Sequence, residues 1–187
     1  PLKIQIRSAV LLSCPFNELP IMSLTMNSDH ILAPIAIHEE TVLPEWIDYN
    51  GHMNVAFYVL AFDHATDAML EYLKITHDYK TKANTTTFVA DMNVTYRQEV
   101  KEGDPLQFKT QILNCDEKRI HFWHEMYHAR EGYLAATNEL LSLHIDLRNR
   151  RVGPMSPDIA DWVTTVRDAH ANLPTPQDVG RLISMKK

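Results

Sequence analysis

The sequence predicts an α+β fold in which one long helix is wrapped by a curved antiparallel sheet. Three observations lead there. Apolar residues recur at helical spacing over about residues 54–75, alternate with a period of two beyond Asn84, and never return to the helix–strand alternation that a parallel sheet requires.

Taken in order, the first 33 residues hold no sustained period and contain Met22 and Met26. They read as an N-terminal arm, loosely ordered or outside the native chain. Lys3 and Arg7 precede an apolar stretch, Ala9 to Cys14, that is too short for the ~7–15 residue core of a secretory signal. Regular structure is expected from Thr41, with Thr41 to Ile47 as a short strand ended by the turn formers Asp48, Asn50 and Gly51. In the helix, Val55, Val59, Phe62, Thr66, Met69 and Leu73 form an inward stripe, while Asp63, Asp67 and Glu71 repeat on a solvated side.

Phe88 to Tyr96 and Leu106 to Ile112 alternate as strands joined by a turn at Gly103-Asp104. Arg119 to His128 and Tyr133 to Leu147 complete an antiparallel meander. Ser156-Pro157 starts a terminal helix that turns Ile159, Trp162, Val163 and Val166 inward, and Pro174-Thr175-Pro176 ends it. The expected organisation is an arm over 1–33, one domain over 34–154, and a C-terminal helix and tail over 155–187.

Composition narrows the function. A chain of 187 residues with 45% hydrophobic and 22% charged residues suits one globular domain with a sizeable core. A net charge of -6 and a pI near 5.9 argue against nucleic acid as a partner. No apolar run approaches the ~20 residues that span a bilayer, so no membrane partner is expected. Cys14 and Cys115, far apart and in unlike contexts, read as free thiols in a reducing compartment, which places the protein in the cytoplasm.

The densest group of reactive and turn-forming side chains is Asp48-Tyr49-Asn50-Gly51-His52-Met53-Asn54, followed by Tyr58, where a strand hands over to the long helix. A helix start offers free N–H groups and a favourable dipole to a developing oxyanion. Each residue alone has a bland explanation: Asp48 and Asn50 as turn formers, Asn54 as a cap, His52 as a surface residue. Their co-occurrence around one glycine exceeds what a cap needs.

This segment resembles the hotdog thioesterases, whose first strand ends in Asp-x-x-Gly-His-x-Asn-Asn-x-x-Tyr before the central helix. Asp48, Gly51, His52, Asn54 and Tyr58 match, Asp63 falls where the family often carries a helix carboxylate, and Val55 departs at the second asparagine. The likeness runs from about Glu40 to Arg151 and takes in Tyr96, Glu99, Gly103-Asp104 and Ala135-Ala136. Leu43 to Asn54, Phe62 to Asp67, His124-Glu125-Met126 and Val179-Gly180-Arg181 look more narrowly like the betainyl-CoA thioesterases of carnitine breakdown.

The resemblance implies a hotdog fold and hydrolysis of a small acyl-CoA, with betainyl-CoA, cleaved to glycine betaine and CoA, as the specific candidate. Another short, aromatic or fatty acyl thioester is the alternative, as is a non-catalytic acyl-CoA-binding protein of the same fold. Asp48 is expected to activate water or to attack the carbonyl itself. Backbone N–H groups near Gly51 and His52 would polarise the carbonyl, with Asn50, His52 and Asn54 orienting water or substrate. A quaternary ammonium is best held by aromatic faces, for which Trp46, Tyr49, Tyr58, Phe88 and Tyr96 are the candidates, Phe88 being more readily read as core. The phosphates of coenzyme A need local positive charge, which Arg148, Arg150 and Arg151, or Lys80 and Lys82, could supply.

His121, His124, His128 and His144 lack the tight spacing of a zinc site, so no metal is expected, and coenzyme A enters only as part of the substrate. A sheet wrapped on a single helix leaves unpaired edges, and hotdog proteins join sheets edge to edge, so a homodimer or a dimer of dimers with sites across the interface is expected.

Overall fold

The structure, a computed structural model, describes residues 31–185. Of the N-terminal arm expected over 1–33, residues 1–30, including Cys14, Met22 and Met26, lie outside the described residues, while Ile31 and Leu32 pack against the core.

The elements run β1 (Ile35–Thr41), α1 (Val55–Tyr72), α2 (His77–Ala83), β2 (Thr85–Tyr96), β3 (Pro105–Cys115), β4 (Arg119–His128), β5 (Leu134–Asp146), β6 (Arg151–Val152) and α3 (Pro157–His170). All strand pairs are antiparallel, and the sheet order is β1-β3-β4-β5-β2 with β6 on the end of β5. The α+β architecture expected from the periodicity is the one observed.

Three expectations need correction. The first strand ends at Thr41, where it was expected to begin, and residues Pro44–Trp46 form a 3-10 turn with Pro44 at its start. Proline fixes φ and withholds an N–H, which suits the first turn of a helix better than the interior of a sheet. Second, β2 and β3 are not a hairpin. The chain from Arg97 to Asp104 crosses to the other side of the sheet, and the Gly103-Asp104 turn bonds to Val42, whose N–H donates to Asp104 O at 3.0 Å while Gly103 N–H donates to Val42 O at 2.9 Å. The meander therefore holds only for β3, β4 and β5. Third, α2 and β6 were not foreseen.

The inward stripe on α1 is real but rotated. Tyr58, Ala61, Phe62, Ala65, Thr66, Met69 and Leu70 are buried, whereas Val55 is exposed. Asp63, Asp67 and Glu71 face solvent as expected. Two apolar clusters result. One gathers the C-terminal half of α1 with Ile112, Phe122 and the Ile159, Val163 and Val166 stripe of α3. The other gathers the N-terminal half of α1 with Trp46, Met53, Phe108 and Met126.

A buried polar trio belongs to neither cluster. His124 Nε2 lies 3.0 Å from Thr66 Oγ1, and its Nδ1 lies 2.7 Å from Thr110 Oγ1. Thr66 already donates to Phe62 O at 2.9 Å. Its oxygen can then only accept, so the His124 proton sits on Nε2 and Thr110 donates to Nδ1. Burial, with a smaller contribution from nearby His38, pushes His124 down to about 3, so the ring is neutral.

His170 repeats the device at the end of α3. Its Nδ1 accepts from Ile112 N–H at 2.8 Å and its Nε2 donates to Leu32 O at 2.7 Å, anchoring the chain just before β1.

Candidate active site

The segment between Trp46 and α1 is a closed turn clamped at both ends. Asp48 N–H donates to His52 O at 3.1 Å and Gly51 N–H to Asp48 O at 3.0 Å. Gly51 takes φ +84, a conformation costly for any residue with a Cβ. Asn54 N–H donates to Trp46 O at 2.9 Å and Met53 N–H to Val100 O at 2.9 Å, so the segment after Tyr96 holds the turn from below. Asn54 then caps α1, its Oδ1 accepting from Ala56 N–H at 3.0 Å.

This leaves reactive groups free. The Asp48 carboxylate is half-buried, and its Oδ1 accepts from Asn50 N–H at 2.8 Å. No other hydrogen bond reaches that carboxylate among the described residues. Gly51 N–H is spent on Asp48 O, so it is not available to an oxyanion. The N–H groups of His52 and Val55 have no partner among the described residues and are the better donors. His52 Nε2 stands 3.5 Å from Glu99 Oε2.

The expected aromatics divide into two groups. Trp46 is buried and stacks on Phe57 at 5.7 Å, and Tyr58 is buried, which pushes its pKa up. Tyr96 is 46% exposed and stands edge-on to Tyr58 at 5.1 Å. Its hydroxyl donates to Val55 O at 3.4 Å. Tyr49 is 97% exposed and touches nothing that forms a cage within one chain. Phe88, read as core, is 46% exposed on β2, because that edge strand has no buried residue at all.

A cleft of about 280 Å³ lies between α1 and β2, lined by Ala56, Val59, Leu60 and Asp63 on the helix and Val89, Met92, Asn138 and Leu140 on the sheet. A bulge between Val89 and Asp91 breaks the period of two, so that Val89 and Met92 can face the same cleft. Asn138 was missed in the sequence. It is fully buried, and both its amide oxygen and nitrogen lack a partner among the described residues. Its only sequence signal is a polar residue at an inward position opposite His124 and Val94.

Arg148, Arg150 and Arg151 are exposed at the β5–β6 turn, where Arg148 donates to Ala83 O at 3.1 Å. That is the Thr85 end of β2, whereas the Asp48 turn lies by its Tyr96 end. Twelve residues of strand put the two ends ~35 Å apart within one chain. Lys82 pairs with Asp78 on α2.

The histidines weighed as ligands do not converge. His121 binds Glu139 at 2.8 Å, His124 the two threonines, His128 accepts from Arg130 and Glu131 N–H, and His144 meets Tyr79 and Gly153. No helix among the described residues is long and apolar enough to cross a membrane.

The sequence matches the thioesterase-like superfamily over residues 42–163, which takes in the Asp48 turn, α1 and the whole of β2 to β5. The chain belongs to that superfamily. A betainyl-CoA thioesterase of Pseudomonas aeruginosa is 35% identical over 151 residues, 81% of this chain and 95% of that protein. An L-carnitine dehydrogenase/betainyl-CoA thioesterase of Rhizobium meliloti is 29% identical over 154 residues, which cover 82% of this chain but 31% of that longer protein. A hypothetical protein of Staphylococcus aureus, solved in complex with CoA, shares the fold with a TM-score of 0.76 at 23% identity, over 83% of this chain and 99% of that one. The hotdog thioesterase resemblance and the α+β fold read from the sequence agree with these relatives.

Proposed function

We propose that this thioesterase-like protein hydrolyses betainyl-CoA to glycine betaine and coenzyme A, with Asp48 as the group that acts on the thioester. One observation carries the reading. A half-buried carboxylate with a single backbone partner sits in the same turn as two unpaired N–H groups, at the positive end of an 18-residue helix.

Water attacks the thioester carbonyl as Asp48 takes its proton, and the negative charge that develops on the carbonyl oxygen is met by the N–H groups of His52 and Val55. The tetrahedral species collapses with departure of the coenzyme A thiolate. Direct attack by Asp48, giving an anhydride that water then opens, uses the same donors. Asn138, buried and unpaired at the wall of the cleft, orients the acyl end or the water.

The site is completed by a second copy of the chain. β2 has no buried residue and, among the described residues, no partner on its outer edge, and Leu60, Val89 and Met92 leave apolar surface on it and on the facing helix. Strands paired about a two-fold axis run antiparallel. The second copy's Thr85 end then lies beside this copy's Tyr96 end, bringing its Arg148 to Arg151 turn to the Asp48 side. That removes the ~35 Å gap between carboxylate and phosphate-binding charge. Tyr49, Tyr96 and Phe88, all exposed in one chain, are the aromatics free to meet the trimethylammonium group in such a dimer. The cytoplasm, with free thiols such as Cys115, is the compartment this reading assigns.

The test is thiol release over a panel of acyl-CoA substrates. Betainyl-CoA is expected to give the highest kcat/KM, and the neutral isostere tert-butylacetyl-CoA a value at least ~5-fold lower. Equal values would remove the cation-binding part and leave a thioesterase for another short acyl group. Tight acyl-CoA binding with no thiol from any substrate would remove the enzyme.

A further inference from the structure

Away from the Asp48 turn, three metal-ligating side chains meet between the edge strand β1 and the central helix α1. His38 and Glu40, two residues apart on β1, face the helix together, while Glu39 between them turns the other way to Gln107. His64 on α1 completes the group, its Nδ1 3.0 Å from Glu40 Oε2. His38 Nε2 stands 3.7 Å from Glu40 Oε1, and one donor atom from each of the three lies within 4.8 Å of the others.

The arrangement is poorly explained by the protein's own hydrogen bonds. The side chains of His38 and Glu40 are 22% and 16% exposed, and that of His64 is 41% exposed. His38 Nε2 and Glu40 Oε1 are both shut off from solvent, and neither has a hydrogen-bond partner among the described residues. The His38 ring rests on Phe108 at 5.0 Å, which holds the imidazole with that nitrogen toward Glu40. A buried nitrogen and a buried carboxylate oxygen left facing each other beyond hydrogen-bond distance leave two polar groups unsatisfied, which calls for a third participant.

Two imidazoles and one carboxylate are the donor set of three-ligand zinc sites, and imidazole favours zinc-class ions over magnesium or calcium. Ligands held at about 2.0–2.2 Å around a tetrahedral ion stand roughly 3.3 Å from each other. His64 Nδ1 lies 3.0 Å from Glu40 Oε2 and His38 Nε2 lies 3.7 Å from Glu40 Oε1, so each imidazole stands near that spacing from one oxygen of the shared carboxylate, and a small closure of the three side chains brings all of them onto one ion.

We propose that His38, Glu40 and His64 bind one divalent transition metal ion of the zinc class, clipping the edge strand β1 to α1, with the fourth position open to water on the His64 side. The ion gives both orphaned atoms a partner and closes a loop between residues 40 and 64 that contains the whole Asp48 turn. The inference is independent of the thioesterase reading, since none of the three residues belongs to that turn or to the α1–β2 cleft.

The test uses the full-length protein freed of metal with a chelator. Zn²⁺ is followed by calorimetry and Co²⁺ by visible absorption. Saturable binding of one ion per chain is expected, with a cobalt spectrum free of thiolate charge-transfer bands, no competition from Mg²⁺, and a rise in Tm of about 5–10 °C at a hundredfold excess over Kd. His64→Ala, at a partly exposed helix position, should fold normally by circular dichroism and weaken Zn²⁺ by at least ~100-fold. Glu40→Gln, which keeps the shape and removes the charge, should do the same. The proposal is overturned by the absence of one-to-one binding, by thiolate bands, or by binding that survives both substitutions.

Discussion

A neutral histidine under the central helix makes the stability of this protein sensitive to acid. In the unfolded chain His124 takes up a proton near pH 6.5, but in the fold only near pH 3, because protonation would place a charge in a site without water. Below pH 6.5 the unfolded state therefore binds more protons, and stability falls by about 1 kcal/mol per pH unit from this group. Urea melts at pH 7.5, 6.5 and 5.5 should show that slope, and His124→Gln should be less stable at pH 7.5 yet flatter across the series. A variant with the wild-type slope would remove His124 as its source. At Asp48, both Asp48→Asn and Asp48→Ala should lower kcat by about 10²–10⁴-fold with the fold intact, and near wild-type turnover by either would end its assignment. Asn138 should separate function from stability. Because its amide is buried without partners, Asn138→Leu is expected to leave Tm unchanged or higher while turnover falls at least ~10-fold. A lower Tm with full activity would place Asn138 among ordinary core residues.

At the scale of elements, the start of α1 does two things with one residue. Asn54 Oδ1 caps the helix, while its Nδ2 has no partner among the described residues and is the group the proposed mechanism turns to substrate. Asn54→Asp should keep the cap and hence the melting temperature, yet cost at least ~10-fold in kcat/KM. Asn54→Ala should also cost about 1 kcal/mol of stability. If Asn54→Asp retains full turnover, capping is its whole role. Elements with a sustained period were legible in the sequence: α1, β2, β3, β4, β5 and α3 all fall within a few residues of their expected bounds. Short ones were not. The seven residues of α2 bury nothing and carry no stripe, although Thr76 as cap and Asn84 in the left-handed conformation mark its ends. β1 was overlooked because an irregularity between Ile35 and His38 leaves the neighbours Ala36 and Ile37 both exposed, which breaks the alternation. With β1 unseen, His38 and Glu40 could not be placed on one face, and the cluster with His64 stayed hidden.

For the whole molecule, the issue is an unfinished edge. β2 is a long border strand without a buried side chain, and it carries one wall of the cleft. Pairing with a second copy would cover it and join charge from one chain to the carboxylate of the other. Met92→Lys is expected to yield a folded monomer by sedimentation velocity that has lost most thioesterase activity. A fully active monomer would place the entire site within one chain. Such a change leaves the α1 core untouched, since Met92 lies outside both apolar clusters.

Local sequence sufficed for the elements with sustained period and for the α+β class, and it singled out the Asp48-to-Tyr58 segment as the candidate for chemistry. Helix and strand periodicity, turn residues and caps are local properties, legible within a window of a few residues. Tertiary packing alone sends β2 away from β3 to the far edge, buries Trp46 and Tyr58 while exposing Phe88, sets the arginines at the opposite end of the sheet, leaves polar atoms of Asn138, His38 and Glu40 unsatisfied among the described residues, and brings His64 to Glu40. Those outcomes depend on which strands become neighbours. A strand with the same alternation fits several places in a sheet, and the choice among them follows from packing against the whole of α1 and α3.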